Sequence, residues 1–129
     1  MFYIYILRCV DGSLYTGMTN DPERRFAEHC KKGSAGAKYT RSHPAVALEA
    51  LWQTETHADA ARLEYAIKTL RRPGKLALIR EPTQLGTLLS DRIEAEKYEP
   101  VSGATLEHPL PGADLAAKDS DSLLTAEKN

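Results

Sequence analysis

The stretch that most constrains this chain is Phe2–Met18, FYIYILRCVDGSLYTGM. Residues 2–9 mix β-branched, aromatic and aliphatic types with almost no polar interruption, the composition of a central strand covered on both faces. Asp11-Gly12 is a hairpin turn signal, and Leu14–Met18 is the returning strand. Side chains alternate along a strand, so Tyr3 and Tyr5 share one face of the first, and Tyr15 and Gly17 one face of the second. Whether the two pairs share the same face is a matter of parity. Opposed residues lie on one face, so Tyr5 and Tyr15 converge only if opposed residue numbers sum to an even value. A two-residue turn pairs Val10 with Ser13 and separates them. A loop of three or five residues, with a pairing such as Val10 with Leu14, brings them together. Joint action by the tyrosines therefore requires an odd-length loop or a bulge.

The next segments read as helices and a third strand. Thr19-Asn20-Asp21-Pro22 offers an Asn or Asp cap with proline at the first helical position. The helix it opens runs to Lys31-Lys32 before Gly33, cations and glycine being a stop signal. Ser34–Pro44 reads as a surface loop, and Ala45–Thr54 as a third strand. Thr56-His57-Ala58-Asp59 starts a helix through DAARLEYAIKTLRR, with Ala61, Leu63 or Glu64, Ile67 and Leu70 near a 3.6-residue period. Pro73-Gly74 breaks it, and Lys75–Arg80 is a short apolar helix. The order β-β-α-β-α-α within residues 1–82 predicts an α+β domain with a small three-stranded antiparallel sheet flanked by helices. Residues 83–98 are expected to add one helix, with Leu85, Leu88, Leu89 and Ile93 on one side. From Glu99 to Asn129 prolines, glycines, Asp and Ser accumulate with almost no aromatics, the composition of a disordered acidic tail.

Charge is divided along the chain. The net charge of −1 over 129 residues conceals +4 in residues 1–83 and −5 in residues 84–129. A mildly basic body is compatible with a polyanionic partner, and equally with ordinary surface charge. The longest apolar run, Phe2–Leu7, is far short of the roughly 20 residues that cross a bilayer, so no membrane span is expected. No basic n-region or small-residue cleavage site precedes it, and no signal peptide is expected. Cys9 and Cys30 form neither a disulfide framework nor a CxxC metal pattern. Free thiols and a cytoplasmic location follow.

Several residue types on these elements suit phosphate chemistry, each with a plainer alternative. The tyrosines are equally ordinary strand residues. Arg25 and His29 stand four apart on the first helix and project from one face. Arginine offers a permanently charged fork for phosphate oxygens, and histidine moves a proton near neutral pH. The alternative is a solvated face with Arg24 and Glu28 ion-paired. Glu64 lies beside the apolar stripe of its helix, where a carboxylate needs a partner or a metal. One carboxylate with waters and a substrate phosphate is a common way to hold Mg²⁺. The alternative is an i, i+4 pair with Lys68. Lys38, Arg41, Arg71 and Arg72 are candidates for tracking a phosphate backbone.

Together these residues resemble the GIY-YIG nuclease superfamily from Phe2 to about Arg80, and within it the short single-domain bacterial branch with a YTG form of the second motif. Tyr3-Ile4-Tyr5 is followed after ten residues by Tyr15-Thr16-Gly17. Arg25, His29 and Glu64 then fall at the family's intervals. The chain departs from the pattern at Tyr3, where the family name has glycine, and at Met18, where some members carry a lysine. The resemblance implies that Tyr5 is the general base for a water attacking phosphorus, that Tyr15 orders that water or the phosphate, and that Gly17 lets the backbone pack under the site. It implies Arg25 as the stabiliser of phosphoryl charge, His29 as a proton-transfer partner, and Glu64 as ligand to a single Mg²⁺ or Mn²⁺ ion.

The function so implied is a metal-dependent endonuclease, a hydrolase of DNA phosphodiester bonds in repair or processing. The sequence leaves open whether the DNA is branched, damaged or single-stranded, and leaves RNA open too. Two alternatives belong to other classes: a nucleic-acid-binding module with weak turnover, and an adaptor that engages a protein partner through its C-terminal extension.

Overall fold

The computed structural model describes residues 1–31 and 38–101, and of Arg41 the backbone only. Strand β1 (Phe2–Cys9) lies between β2 (Leu14–Thr19) and β3 (Ala45–Thr54), antiparallel to both. The hairpin has the even parity that joint action requires. Tyr5 opposes Gly17, Leu7 opposes Tyr15 and Arg8 opposes Leu14. The loop is three residues long, Val10–Gly12, closed by Cys9 N–H to the Ser13 carbonyl and Gly12 N–H to the Cys9 carbonyl, both 2.8 Å. Gly12 has φ 88°, the left-handed position of a three-residue hairpin loop, which glycine adopts without strain. The pairing begins one residue before the expected Val10–Leu14 partnership, and the sum stays even.

Alternation then sorts the sheet into two faces. Ile4, Ile6, Ala50 and Trp52 point one way and pack with Ala60, Leu63, Ala66 and Ile67 of α3 (His57–Lys68) and Leu78 of α4 (Arg72–Arg80). Tyr5, Leu7, Leu48 and Leu51 point the other way, against Phe26 of α1 (Pro22–Cys30). Local signals start the helices where they fall. Asp21 caps α1 by accepting from Arg24 N–H at 3.3 Å, with Pro22 in the first turn. Thr56 caps α3 by accepting from Asp59 N–H at 3.0 Å. Trp52 is fully buried, and its indole N–H donates to the Pro82 carbonyl at 2.9 Å. It is a core residue.

Four expectations change. The sheet has four strands in the order β2-β1-β3-β4, because Glu99–Pro100 forms β4 on the edge of β3 and Val101 N–H donates to the Leu51 carbonyl at 2.8 Å. Proline is tolerated on an edge, where its missing N–H costs no ladder bond. The disordered tail expected from Glu99 therefore begins too early, and residues 102–129 lie outside the described residues. Residues 83–98 do not make one helix. They form a 3₁₀ turn at Pro82–Gln84, a short helix α5 at Leu85–Leu88 and another 3₁₀ turn at Ala95–Lys97. Leu85, Leu89, Ile93 and Tyr98 bury into the same core as the sheet, so irregular backbone follows the core surface where a straight helix would leave it. Within the expected loop 34–44, Lys38–Ser42 forms helix α2. Among the described residues no helix is long and apolar enough to cross a membrane.

Candidate active site

Tyr5 is the centre of the site. Its ring lies across the β1–β2 ladder over Gly17, and the phenol occupies the space that any Cβ at position 17 would need: an ideal Cβ there falls 2.6 Å from Tyr5 Cζ. Glycine at 17 is a steric requirement of the phenol's position. The Tyr5 hydroxyl is 2.9 Å from His29 Nε2, and His29 Nδ1 is 2.7 Å from Thr40 Oγ1. His29 and Thr40 are fully buried, and Tyr5 is 3% exposed. The Arg25 guanidinium acts on the same phenol, its charge and hydrogen bonding working to lower the Tyr5 pKa, and it donates to Glu28 Oε1 at 2.5 Å. The spacing of four between Arg25 and His29 thus delivers both to one oxygen.

Tyr15 joins from the neighbouring strand on the same face, its ring centroid 5.2 Å from that of His29. The same ring stacks on Tyr39 at 6.0 Å, and Tyr39 stacks on His43 at 4.2 Å. Glu64 comes from α3, which packs on the opposite face of the sheet, yet its charge acts on Tyr5. It is half-buried and meets Lys68 Nζ at 3.2 Å, so the i, i+4 pair anticipated as the plainer alternative is also present. Arg24 and Glu28 pair at 3.0 Å on the surface. A pair so exposed contributes little to stability.

Burial sets the protonation states. Burial first, then Tyr15, raises the Tyr5 phenol above its ordinary value; Arg25 works against them and Glu64 with them. Burial, then the charge of Arg25, lowers His29 to about 4. At neutral pH the resting pair is therefore neutral phenol against neutral imidazole, and both shifts oppose passing the proton from phenol to ring until positive charge is added beside the phenol. The donor set also fits a hydrated divalent cation held by a single carboxylate, Glu64, with water and substrate oxygens completing its shell. Among the described residues no cluster of three or more His, Cys, Asp or Glu offers a fuller cage.

Residues 1–77 match the family described as the GIY-YIG catalytic domain, which is more than half of the chain. The chain belongs to the GIY-YIG family. It is 46% identical over 79 residues to a UPF0213 protein of Staphylococcus saprophyticus, covering 61% of this chain and 94% of that one. With a UPF0213 protein of Clostridium perfringens it shares 42% identity over 99 residues, covering 77% and 95%. The solution NMR structure of a UPF0213 protein from Bacillus halodurans aligns with 36% identity and a TM-score of 0.38, covering 70% of this chain and 98% of that one.

Within this GIY-YIG domain the structure gathers Tyr5, Tyr15, Gly17, Arg25 and His29 on one face, while Glu64 stands on α3 across the sheet, paired with Lys68 and acting on Tyr5 through its charge. The candidate backbone-tracking cations fare differently. Lys38 and Arg71 are exposed. Arg72 Nη2 donates to the Gly12 carbonyl at 2.9 Å, so it serves the hairpin loop, and the side chain of Arg41 lies outside what is described. Sequence reasoning missed Thr40. Its segment reads as loop, and a threonine carries no mark of being placed against a histidine. It also missed the clasp on the hairpin loop, in which Tyr39 Oη donates to Ser13 Oγ at 2.6 Å and Val10 N–H donates to the Pro44 carbonyl at 2.8 Å.

Proposed function

We propose that the protein is a divalent-metal-dependent endonuclease that hydrolyses DNA phosphodiester bonds, with Tyr5 as general base. What carries this reading is one oxygen: the Tyr5 phenol meets His29 Nε2 at 2.9 Å and the Arg25 guanidinium together, over a glycine that leaves it room. A phenol becomes a useful base only beside cations and a proton acceptor, and this one has both. Tyr5 passes its O–H proton to His29 Nε2, leaving a phenolate beside an imidazolium. The phenolate takes a proton from the attacking water as its oxygen bonds to phosphorus, and the P–O bond to the leaving group breaks. The leaving alkoxide collects a proton from solvent, and His29 returns its own to solvent, closing the balance for one water consumed.

In this reading Arg25 neutralises charge on the non-bridging oxygens. Tyr15, stacked on Tyr39 and tilted against the His29 ring, orients the water or phosphate with its hydroxyl. A cation at Glu64 would supply charge stabilisation of the leaving oxygen. Mg²⁺ or Mn²⁺ suits a single carboxylate, and a cytoplasmic role in DNA repair or processing fits free thiols and a nucleic-acid substrate. Branched, damaged and single-stranded DNA are the substrate forms to compare, and residues 83–129 are the segment to probe for a protein partner.

The test is a cleavage panel of DNA and RNA structures, titrated with Mg²⁺ and Mn²⁺, using wild type, Glu64→Ala and Arg25→Ala. Metal-stimulated cleavage of DNA by wild type, lost in both variants with folding intact, is the expected result. Equal product from wild type and Glu64→Ala would sink the assignment. Salt-dependent DNA binding with no product would favour a binding module instead.

A further inference from the structure

Resting on that reading of Tyr5 and His29, we propose that Thr40 is a positioning residue: its hydroxyl oxygen accepts the Nδ1 proton of His29 and so fixes the tautomer in which Nε2 faces Tyr5 as a lone pair. Three side chains form a chain of two hydrogen bonds, Tyr5 Oη to His29 Nε2 at 2.9 Å and His29 Nδ1 to Thr40 Oγ1 at 2.7 Å. A neutral imidazole has one donor and one acceptor nitrogen, so the chain runs in one of two directions. Either Thr40 donates to Nδ1 and Nε2–H donates to Tyr5, or Tyr5 donates to Nε2 and Nδ1–H donates to Thr40.

Arg25 decides between them. A guanidinium only donates, and it engages the Tyr5 oxygen. With an acceptor site of that oxygen filled by Arg25, the phenol's single proton is directed at Nε2. Nε2 is then the acceptor, and Nδ1 carries the ring proton and gives it to Thr40. In the opposite direction the phenol oxygen would take two donors, and its own proton would need a further acceptor. Only the direction in which Tyr5 donates to Nε2 and Nδ1–H donates to Thr40 leaves His29 able to take the Tyr5 proton. The Thr40 oxygen also serves the imidazolium formed on transfer, because Nδ1 keeps its proton throughout.

Thr40 sits on the five-residue helix α2, so this short element has a chemical role, bringing one hydroxyl to the back of the histidine. The test is ¹⁵N NMR of the His29 ring at pH 7, where burial keeps the ring neutral, on wild type, Thr40→Val and Thr40→Ser. Expected are a protonated Nδ1 and an unprotonated Nε2 in wild type, loss of that single tautomer in Thr40→Val, and its return in Thr40→Ser. Turnover should follow the tautomer, with kcat down about 10–100-fold in Thr40→Val and KM within about twofold, as for partners that orient a working imidazole. A wild-type ring protonated at Nε2, or a Thr40→Val ring with the wild-type tautomer, overturns the assignment. If the valine variant fails to fold, the wild-type spectrum decides alone. A wild type that cleaves nothing refutes the nuclease reading, and the ring spectrum still judges Thr40.

Discussion

Gly17→Ala is the substitution that most directly probes the geometry of the site. On general grounds it should help, because glycine within a strand costs about 0.5–1 kcal/mol of backbone entropy relative to alanine. Here an ideal Cβ would lie 2.6 Å from Tyr5 Cζ and 2.9 Å from Cε1. Ordinary carbon contacts are about 3.5–4.0 Å, so the ring must move by about 1 Å. Tyr5 is 3% exposed, and such overpacking of a buried ring costs about 1–3 kcal/mol. A further ~1 kcal/mol goes if the 2.9 Å bond to His29 is broken. Steric cost outweighs the entropic gain, and the variant should be about 1–3 kcal/mol less stable. Moving a reacting oxygen by about 1 Å should lower kcat by about 100-fold.

A double-mutant cycle separates this cause from a general strand effect. In a Tyr5→Leu background the new methyl meets no phenol, and Gly17→Ala should be neutral or slightly stabilising. The coupling between the sites should exceed about 1 kcal/mol by urea denaturation at constant m-value. An identical cost of Gly17→Ala in both backgrounds would refute the reasoning.

Other substitutions test the core and its protons. The Thr16 hydroxyl is buried with no hydrogen-bond partner among the described residues, so Thr16→Val should raise stability by about 1 kcal/mol in chemical denaturation; a loss would reveal an unseen partner. His29 titrates near 4 in the folded protein and near 6.5 when unfolded. The unfolded chain therefore binds the extra proton between those values, and stability is complete above about pH 6.5 and falls as the pH drops toward 4. At 1.36 kcal/mol per pH unit the His29 contribution has a ceiling of about 3 kcal/mol, and its slope should disappear in His29→Phe. Tyr98 donates to the Asp59 carbonyl at 2.7 Å, so Tyr98→Phe should cost about 1 kcal/mol in the thermal or urea midpoint. Burial raises the thiols of Cys9 to about 11 and Cys30 to about 12; fully buried Cys9 should react with thiol reagents at pH 8 only as fast as the protein opens, and half-buried Cys30 slowly but without opening.

The sequence was most informative where periodicity and punctuation agree. β1, β3 and α3 follow from alternation, apolar spacing and the Thr56 cap, and the parity rule identified an odd hairpin loop as the condition for a shared face. The Tyr, Gly, Arg, His and Glu set was legible because each residue type has few reasons to recur at those intervals. Its plainer alternatives were partly right as well: Glu64 pairs with Lys68, and Arg24 with Glu28. Thr40, β4 and the broken path of residues 83–98 were not legible, for different physical reasons. Thr40 depends on a tertiary contact that leaves no local pattern. β4 is two residues long and contains a proline. The leucines of 85–93 fit one helix face, and the curvature of the core that overrides the helix is invisible in one dimension.

The clasp on the hairpin loop has a consequence for when the site exists. Val10, Gly12 and Ser13 are held by Pro44, Arg72 and Tyr39, which lie 26 to 60 residues further along the chain. The tyrosine motifs are synthesised first, yet their register is fastened by residues made much later. At ~5–20 residues per second, roughly 3–10 s separate Gly17 from Arg72 on the ribosome. A free two-stranded hairpin is marginal in water and prone to slip, and a slip of one residue sends Tyr15 to the wrong face. The face that carries the candidate site is thus assembled only once the rest of the domain has arrived to hold it.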